Sequence, residues 1–353
     1  MQEHQLWTAL VTPFDADGAF DLPTYRRLVE FQLASGVTGV VPCGSTGESP
    51  TLSWDEHNQA VEAAVQCAAR ASGPGKMRVM AGCGSNSTVE AIAATREAAQ
   101  RGADSALLMD CYYNGPSSLE LRTEYYERVL AEVPRIPIVP YVIPGRTGCA
   151  LEAEDLAILH LTDPVRVPAL KSATGNVERQ RRDRSLAGAS LQILSGDDDL
   201  TYGMMVDPEI AACGAISVMS NILPGALLAM CAKASSEEGA AIAKDLSPIL
   251  GCVGVVTGNE RKLPSGRSVT VRDRFRNPAP IKTIMAGLGL IQVKARAPLG
   301  LMTARAVEHC REAVRAVHRA RPGWFEPLDA FFGVDTKRRL EDDGVWAALA
   351  RRE

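Results

Sequence analysis

The chain has 353 residues, 46% hydrophobic and 23% charged, and its 38 Lys and Arg against 42 Asp and Glu give a net charge of −4. With both signs interspersed, that balance describes an ordinary globular protein and argues against nucleic acid or an anionic membrane as a partner. No apolar run approaches the roughly 20 residues that span a bilayer, and the start MQEHQLWTAL lacks a signal-peptide pattern. The nine cysteines are scattered with no Cys-x-x-Cys pair, so a cytoplasmic protein with reduced thiols is expected.

In chain order, eight short apolar runs read as strands: TALVTP (8–13), GVVPCG (39–44), RVMAGCG (78–84), SALLMD (105–110), IPIVPYVIP (136–144), VPALKSA (167–173), LQILSG (191–196) and AISVMSN (215–221). Most lack a clean alternation of apolar and polar residues, as parallel strands buried on both faces do. Segments at helical spacing lie between them. Residues 22–34 carry Leu22, Tyr25, Leu28, Val29 and Leu33, with Gly36 just past the end. Residues 55–70 and 88–101 are rich in alanine, and 117–133 stop at Pro134. The basic run RQRRDR at 179–184 reads as a solvated helix face.

Alternating strands and helices predict an α/β fold with a parallel sheet. Eight units in this length, with no phosphate-binding glycine loop in the first turn TPFDADGAF, favour a closed (β/α)8 TIM barrel over residues 1–224. Beyond it, 225–234, 237–250, 281–288 and 303–319 look helical, so residues 225–353 form a helical carboxy-terminal region. A polar insert rich in Gly, Pro and Arg, at about 257–280, is expected to be a long loop or hairpin. The charged tail 335–353 is expected to be only partly ordered.

Barrel active sites lie at the carboxyl ends of the strands. Lys171 sits there among apolar neighbours, where desolvation would yield a free amine able to attack a carbonyl carbon. The alternative is a stem that snorkels from a strand end. Strand five ends at Tyr141 and leads to Arg146, a proton relay and a carboxylate clamp unless the tyrosine is merely structural. After strand two, Gly44-Ser45-Thr46-Gly47-Glu48-Ser49 offers hydroxyls and amides to a carboxylate, or is simply a turn. There is no HExxH pair, no zinc-spaced Cys/His cluster and no GxxxxGK[ST] loop, and Ser87 breaks the GxGxxG-like run at Gly82. Neither a metal nor a nucleotide cofactor is expected.

Together TALVTPF (8–14), GSTGES (44–49), YYNGP (112–116), YVIPGRTG (141–148), KSATG (171–175), SGDD (195–198) and, after a gap, NPAPIK (277–282) resemble the dihydrodipicolinate synthase and N-acetylneuraminate lyase family of class I, pyruvate-dependent aldolases, in order and spacing. The resemblance implies that Lys171 forms a Schiff base with pyruvate, so no separate cofactor is needed. It implies that Thr46, with Ser45 and their amides, holds the pyruvate carboxylate, that Gly196 and Ile216 bound the substrate pocket, and that Tyr141 is the general acid and base. Ser45 and Tyr113 would complete a hydroxyl chain with Tyr141. The equivalent of Tyr113 reaches in from a neighbouring subunit, implying a homo-oligomer, dimer or tetramer.

Arg146 resembles the arginine with which the synthase branch binds the carboxylate of aspartate semialdehyde. That implies condensation of pyruvate with L-aspartate 4-semialdehyde, on the route to diaminopimelate and lysine. Ser45 stands where threonine is usual and Val142 where asparagine is usual, and the insert and tail have no counterpart in compact members. Another pyruvate-forming aldolase, for 4-hydroxy-2-oxoglutarate or a sugar acid, therefore stays open, as does a non-catalytic barrel that binds an oxo acid. Ser49, Trp54, His57, Asn86, Glu90 and Tyr112 match places where lysine-inhibited members bind lysine between subunits. Glu90 suits an ammonium and Trp54 an aliphatic stem, although ordinary interface residues would look the same.

Overall fold

Eight parallel strands close into a ring in sequence order: β1 (Gln5–Ala9), β2 (Gly39–Val41), β3 (Arg78–Gly82), β4 (Ser105–Met109), β5 (Ile138–Val142), β6 (Ala169–Ser172), β7 (Gln192–Ser195) and β8 (Gly214–Ser217). β1 completes the ring, pairing Trp7 with Gly39 on β2 and with Ile216 on β8. The computed structural model describes residues 4–70 and 76–351, so the first three residues of the amino-terminal segment and the last two of the tail lie outside it. Every predicted strand is present and shorter than its apolar run. β1 starts at Gln5 rather than at residue 8, and its ladder stops where the Val11 N–H donates to the Asn221 side chain instead of another strand.

Helices fill the connections. Leu22–Ala34 is as expected, followed by Gly36 in the left-handed region. Trp54–Ala68 starts at a capping box made by Ser53 and Glu56. The segment 117–133 is not one helix. A short turn, Ser118–Glu120, passes into a π-helical stretch, Leu121–Tyr126, before Glu127–Glu132 resumes the α-form. The basic run 179–184 lies in the helix Val177–Ala187 but is tied down rather than solvated. Arg179 pairs with Glu152 and the buried Asp183, and Arg184 donates to the carbonyls of Ile210 and Leu191.

The barrel interior is a single apolar cluster that includes Trp7, Ala9, Val41, Met80, Leu107, Val139, Tyr141, Leu194 and Ile216. Each large side chain so buried contributes roughly 1.5–3 kcal/mol. Position 39 must be glycine, because a Cβ there would lie 2.3 Å from the Trp7 ring.

The chain divides into two compact units, Met1–Thr12 with Tyr25–Ala243 and Pro13–Thr24 with Lys244–Glu353. The helix Pro224–Ala232 packs on β1 and belongs to the first. In the second, the insert is an antiparallel hairpin, β9 (Gly254–Lys262) and β10 (Ser268–Arg276), and the helices Ala279–Gly287 and Ala304–Ala320 follow. The tail corrects the expectation of partial order: it forms the helices Thr336–Glu341 and Asp343–Ala347. Trp346 anchors it, fully buried, with its indole N–H donating to the Arg339 carbonyl at 2.9 Å. Among the described residues no helix is long and apolar enough to cross a membrane.

Candidate active site

Register places the reactive groups side by side at the carboxyl ends of neighbouring strands. Lys171 on β6 lies opposite Tyr141 on β5 and Leu194 on β7. Only 6% of Lys171 is exposed, and its amine sits 4.0 Å from the centre of the Tyr141 ring. Burial pulls its pKa from 10.5 down to about 8; the carboxylates of Asp198 and Asp197 oppose that shift, and the Arg146 guanidinium assists it. At pH 7 a lysine so placed holds an appreciable fraction of free amine. Gly196 makes room for the stem, since a Cβ there would lie 2.9 Å from Lys171 Cε.

Tyr141 is buried in the same apolar cluster as Ile216. Burial pushes its hydroxyl up to about 12, while Arg146 and a hydrogen bond with Ser45 work the other way. Ser45 belongs to the turn after β2, closed by bonds from the Gly47 N–H to the Gly44 carbonyl and from the Glu48 N–H to the Ser45 carbonyl. Cys43 and Glu48, at φ 56° and 55°, hold left-handed conformations that non-glycine residues seldom adopt, a strain that clusters at functional turns. Thr46, in the middle of this turn, is 3% exposed.

Lys171, Tyr141, Ser45 and Gly196 are thus gathered at one mouth, with Thr46 in the adjoining turn and Ile216 in the interior cluster that also holds Tyr141. Arg146 stands in the short helix Pro144–Thr147, exposed, with its charge felt by both Lys171 and Tyr141. Tyr113 is placed differently. Its backbone is left-handed at φ 77° and its side chain is 90% exposed, so it is not packed on the buried Tyr141 of its own chain.

The six residues of the lysine set fall on the turn after β2, two helix starts and the segment after β4. Trp54 and His57 meet edge to face at 5.4 Å, and His57 Nε2 lies 2.8 Å from the Gly82 carbonyl, its burial lowering its pKa. Glu90 accepts from the Ser85 hydroxyl at 2.6 Å. Asn86 is exposed, and Ser49 and Tyr112 are half-buried. Among the described residues no group of three His, Cys, Asp or Glu is placed to hold a metal ion.

The model of the dihydrodipicolinate synthetase family matches residues 2–317. The chain belongs to that family. A Synechococcus 4-hydroxy-tetrahydrodipicolinate synthase (strain WH7803) is 45% identical over 227 residues, which are 64% of this chain and 71% of the relative. A Nitratidesulfovibrio vulgaris synthase (strain Miyazaki F) is 36% identical over 299 residues, covering 85% and 93%. Among solved structures, the synthase of Methylacidiphilum fumariolicum SolV superposes with a TM-score of 0.79 at 28% identity, over 92% of this chain and 99% of that one. The Cyanidioschyzon merolae enzyme, solved with lysine bound, gives 0.78 at 30% identity over 89% and 98%. This member of the family is accordingly a class I lyase on a TIM barrel.

The sequence motif SGDD (195–198) brings two acids to which the resemblance assigns no role. Asp197 and Asp198 are the two carboxylates acting on Lys171. Burial raises Asp198 to about 6 against the bonds that it accepts. The legible signal was two consecutive acids directly after strand seven, beside a lysine on strand six. Asp110, directly after β4, is a further buried acid. Burial pushes it up to about 7, although Tyr126 and the Leu151 N–H both donate to it.

Proposed function

We propose that this lyase condenses pyruvate with L-aspartate 4-semialdehyde, as a 4-hydroxy-tetrahydrodipicolinate synthase in the route to diaminopimelate and lysine. The observation that carries the residue assignment is Lys171: a buried amine with its pKa brought to about 8, in contact with the Tyr141 ring. The amine lone pair attacks the keto carbon of pyruvate. Tyr141 delivers a proton to the departing hydroxyl, water leaves, and a protonated imine remains. That cation drains electrons from the methyl group, a proton departs, and the enamine carbon attacks the aldehyde. Thr46 and Ser45 with their amides hold the pyruvate carboxylate, Gly196 and Ile216 wall the pocket, and Arg146 receives the carboxylate of the semialdehyde. The covalent link to substrate replaces any cofactor.

The exposed, left-handed Tyr113 supports a homodimer or a tetramer, in which its hydroxyl joins the Ser45–Tyr141 chain of a neighbour. The related chain described as a monomeric synthase variant makes assembly a property to measure. A cytoplasmic setting with reduced thiols completes the reading. Incubation with pyruvate, reduction with borohydride and intact-mass analysis should give a stable adduct that Lys171→Ala lacks. A coupled assay with aspartate semialdehyde and a downstream reductase then separates this reading from an aldolase for 4-hydroxy-2-oxoglutarate or a sugar acid. No turnover in that assay, with the adduct intact, sinks the semialdehyde assignment.

We also propose that lysine binds at Ser49, Trp54, His57, Asn86, Glu90 and Tyr112. The Trp54–His57 pair offers an aromatic wall for the stem and Glu90 a charge for the ammonium. Millimolar lysine should lower turnover and raise the melting temperature; no change in either discards the idea.

A further inference from the structure

Asp198 takes no part in the steps above, yet its placement is unusual for a free acid. It is 4% exposed, and its Oδ2 accepts the backbone N–H groups of Val218 and Met219, each at 2.9 Å. The side chain of Ser217 hydrogen-bonds to the same carboxylate. These partners belong to the end of β8 and the turn after it, so the carboxylate is fixed in the wall rather than free to swing outward. Of the charges that act on Lys171 its own is the largest; Asp197 adds to it and Arg146 opposes it.

Condensation changes what that charge faces. A free amine and a keto acid together take up one proton and release one water, which leaves a C=N bond with a cationic nitrogen. The nitrogen must stay cationic to withdraw electrons from the methyl group. A cation in so dry a place is unfavourable without a counter-charge. We infer that Asp198 is a positioning residue acting through Lys171: held by Ser217, Val218 and Met219, its carboxylate is the counter-charge of the protonated imine. The inference rests on the Schiff-base reading.

The groups facing this pair are few. Asp198 faces Lys171, Ser217 and the thiol of Cys231 on the helix Pro224–Ala232, which burial and then the Asp198 charge push up to about 12. Lys171 faces Tyr141, Asp197, Asp198 and Arg146. Burial brings Lys171 down to about 8 and Asp198 up to about 6, and it raises Asp197 as well.

The test follows pyruvate trapping by borohydride, and kcat and KM for pyruvate, between about pH 5 and 9. In Asp198→Asn the loss of charge lowers the lysine pKa further, so the pH of half-maximal adduct formation should fall by about one unit. The adduct yield and kcat should fall together, by about tenfold. A purely structural role would lower yield and melting temperature while leaving the pH midpoint in place; an unmoved midpoint therefore overturns the inference. Should Asp198→Asn not fold, Ser217→Ala serves instead. It removes a hydrogen bond that holds the Asp198 pKa down, so trapping yield should collapse at a higher pH than in the wild type, and an unmoved collapse again refutes it. Absence of any adduct in the wild-type protein is a separate result, and it refutes the Schiff-base reading itself.

Discussion

The two ends of the barrel are made from the same eight strands under opposite constraints. At the amino-terminal end Trp7 spreads over Gly39, with the Arg78 guanidinium 4.9 Å from its ring centre and its indole N–H donating to Gln5. Nothing there needs to react, and packing alone sets which residues fit. At the carboxy-terminal end Lys171, Tyr141, Asp197 and Asp198 carry polar groups into a place where burial displaces all four pKa values. That end holds its groups at a cost in stability, and the well-packed end offsets it. Barrel enzymes in general separate stability from reactivity in this way.

Four measurements test whether the two ends are separable. Lys171→Ala should abolish the trapped adduct and lower turnover by about 10³-fold or more, since the covalent route disappears. Tyr141→Phe keeps the ring against Lys171 but deletes the hydroxyl; kcat should fall by about 10²–10⁴-fold, the range of general acid–base catalysis, while slow adduct formation persists. If either variant retained normal rates, the reactive end would have been misplaced.

Gly39→Ala tests the other end. Its Cβ would meet the Trp7 ring at 2.3 Å and the Arg78 carbonyl at 2.5 Å, so denaturant unfolding should show a loss of about 1–3 kcal/mol. Adduct formation by the folded fraction should be unchanged; a rate defect as large as that of Tyr141→Phe would mean that the ends are not separable.

The smallest effect is the dependence on pH. Lys171 titrates near 8 in the folded chain and near 10.5 when unfolded, so the unfolded state binds more protons between those values. Its contribution to stability should therefore rise with pH across that window. The carboxyls of Asp198, raised to about 6, and Asp110, raised to about 7, act oppositely: the folded state keeps their protons longer, so stability falls as pH climbs from about 4 through those values. Adduct formation should rise toward about pH 8 as Lys171 gives up its proton. A flat profile would contradict a desolvated Lys171.

Eight strands and their helices were visible in the sequence because burial on both faces writes continuous apolar runs, and helix stops such as Gly36 are local chemistry. Lys171 and Tyr141 were visible too, as polar residues at the ends of such runs. The π-helical turn at Leu121–Tyr126 was not, because helical periodicity cannot register one inserted residue that lets Tyr125 and Tyr126 both face inward. Nor was the order of the tail, whose charge suggested solvent; Trp346 is buried there against Gly287, where a Cβ would lie 2.5 Å from its ring.

The sequence by itself determined the strand order, the barrel and the chemical types at its mouth, since these follow from periodicity and from motifs short enough to read locally. Only the tertiary structure decided how dry that mouth is and which charges share it. A shifted pKa is set by burial and by charges that reach Lys171 from the segments after strands five and seven, and no spacing along the chain records how those segments meet.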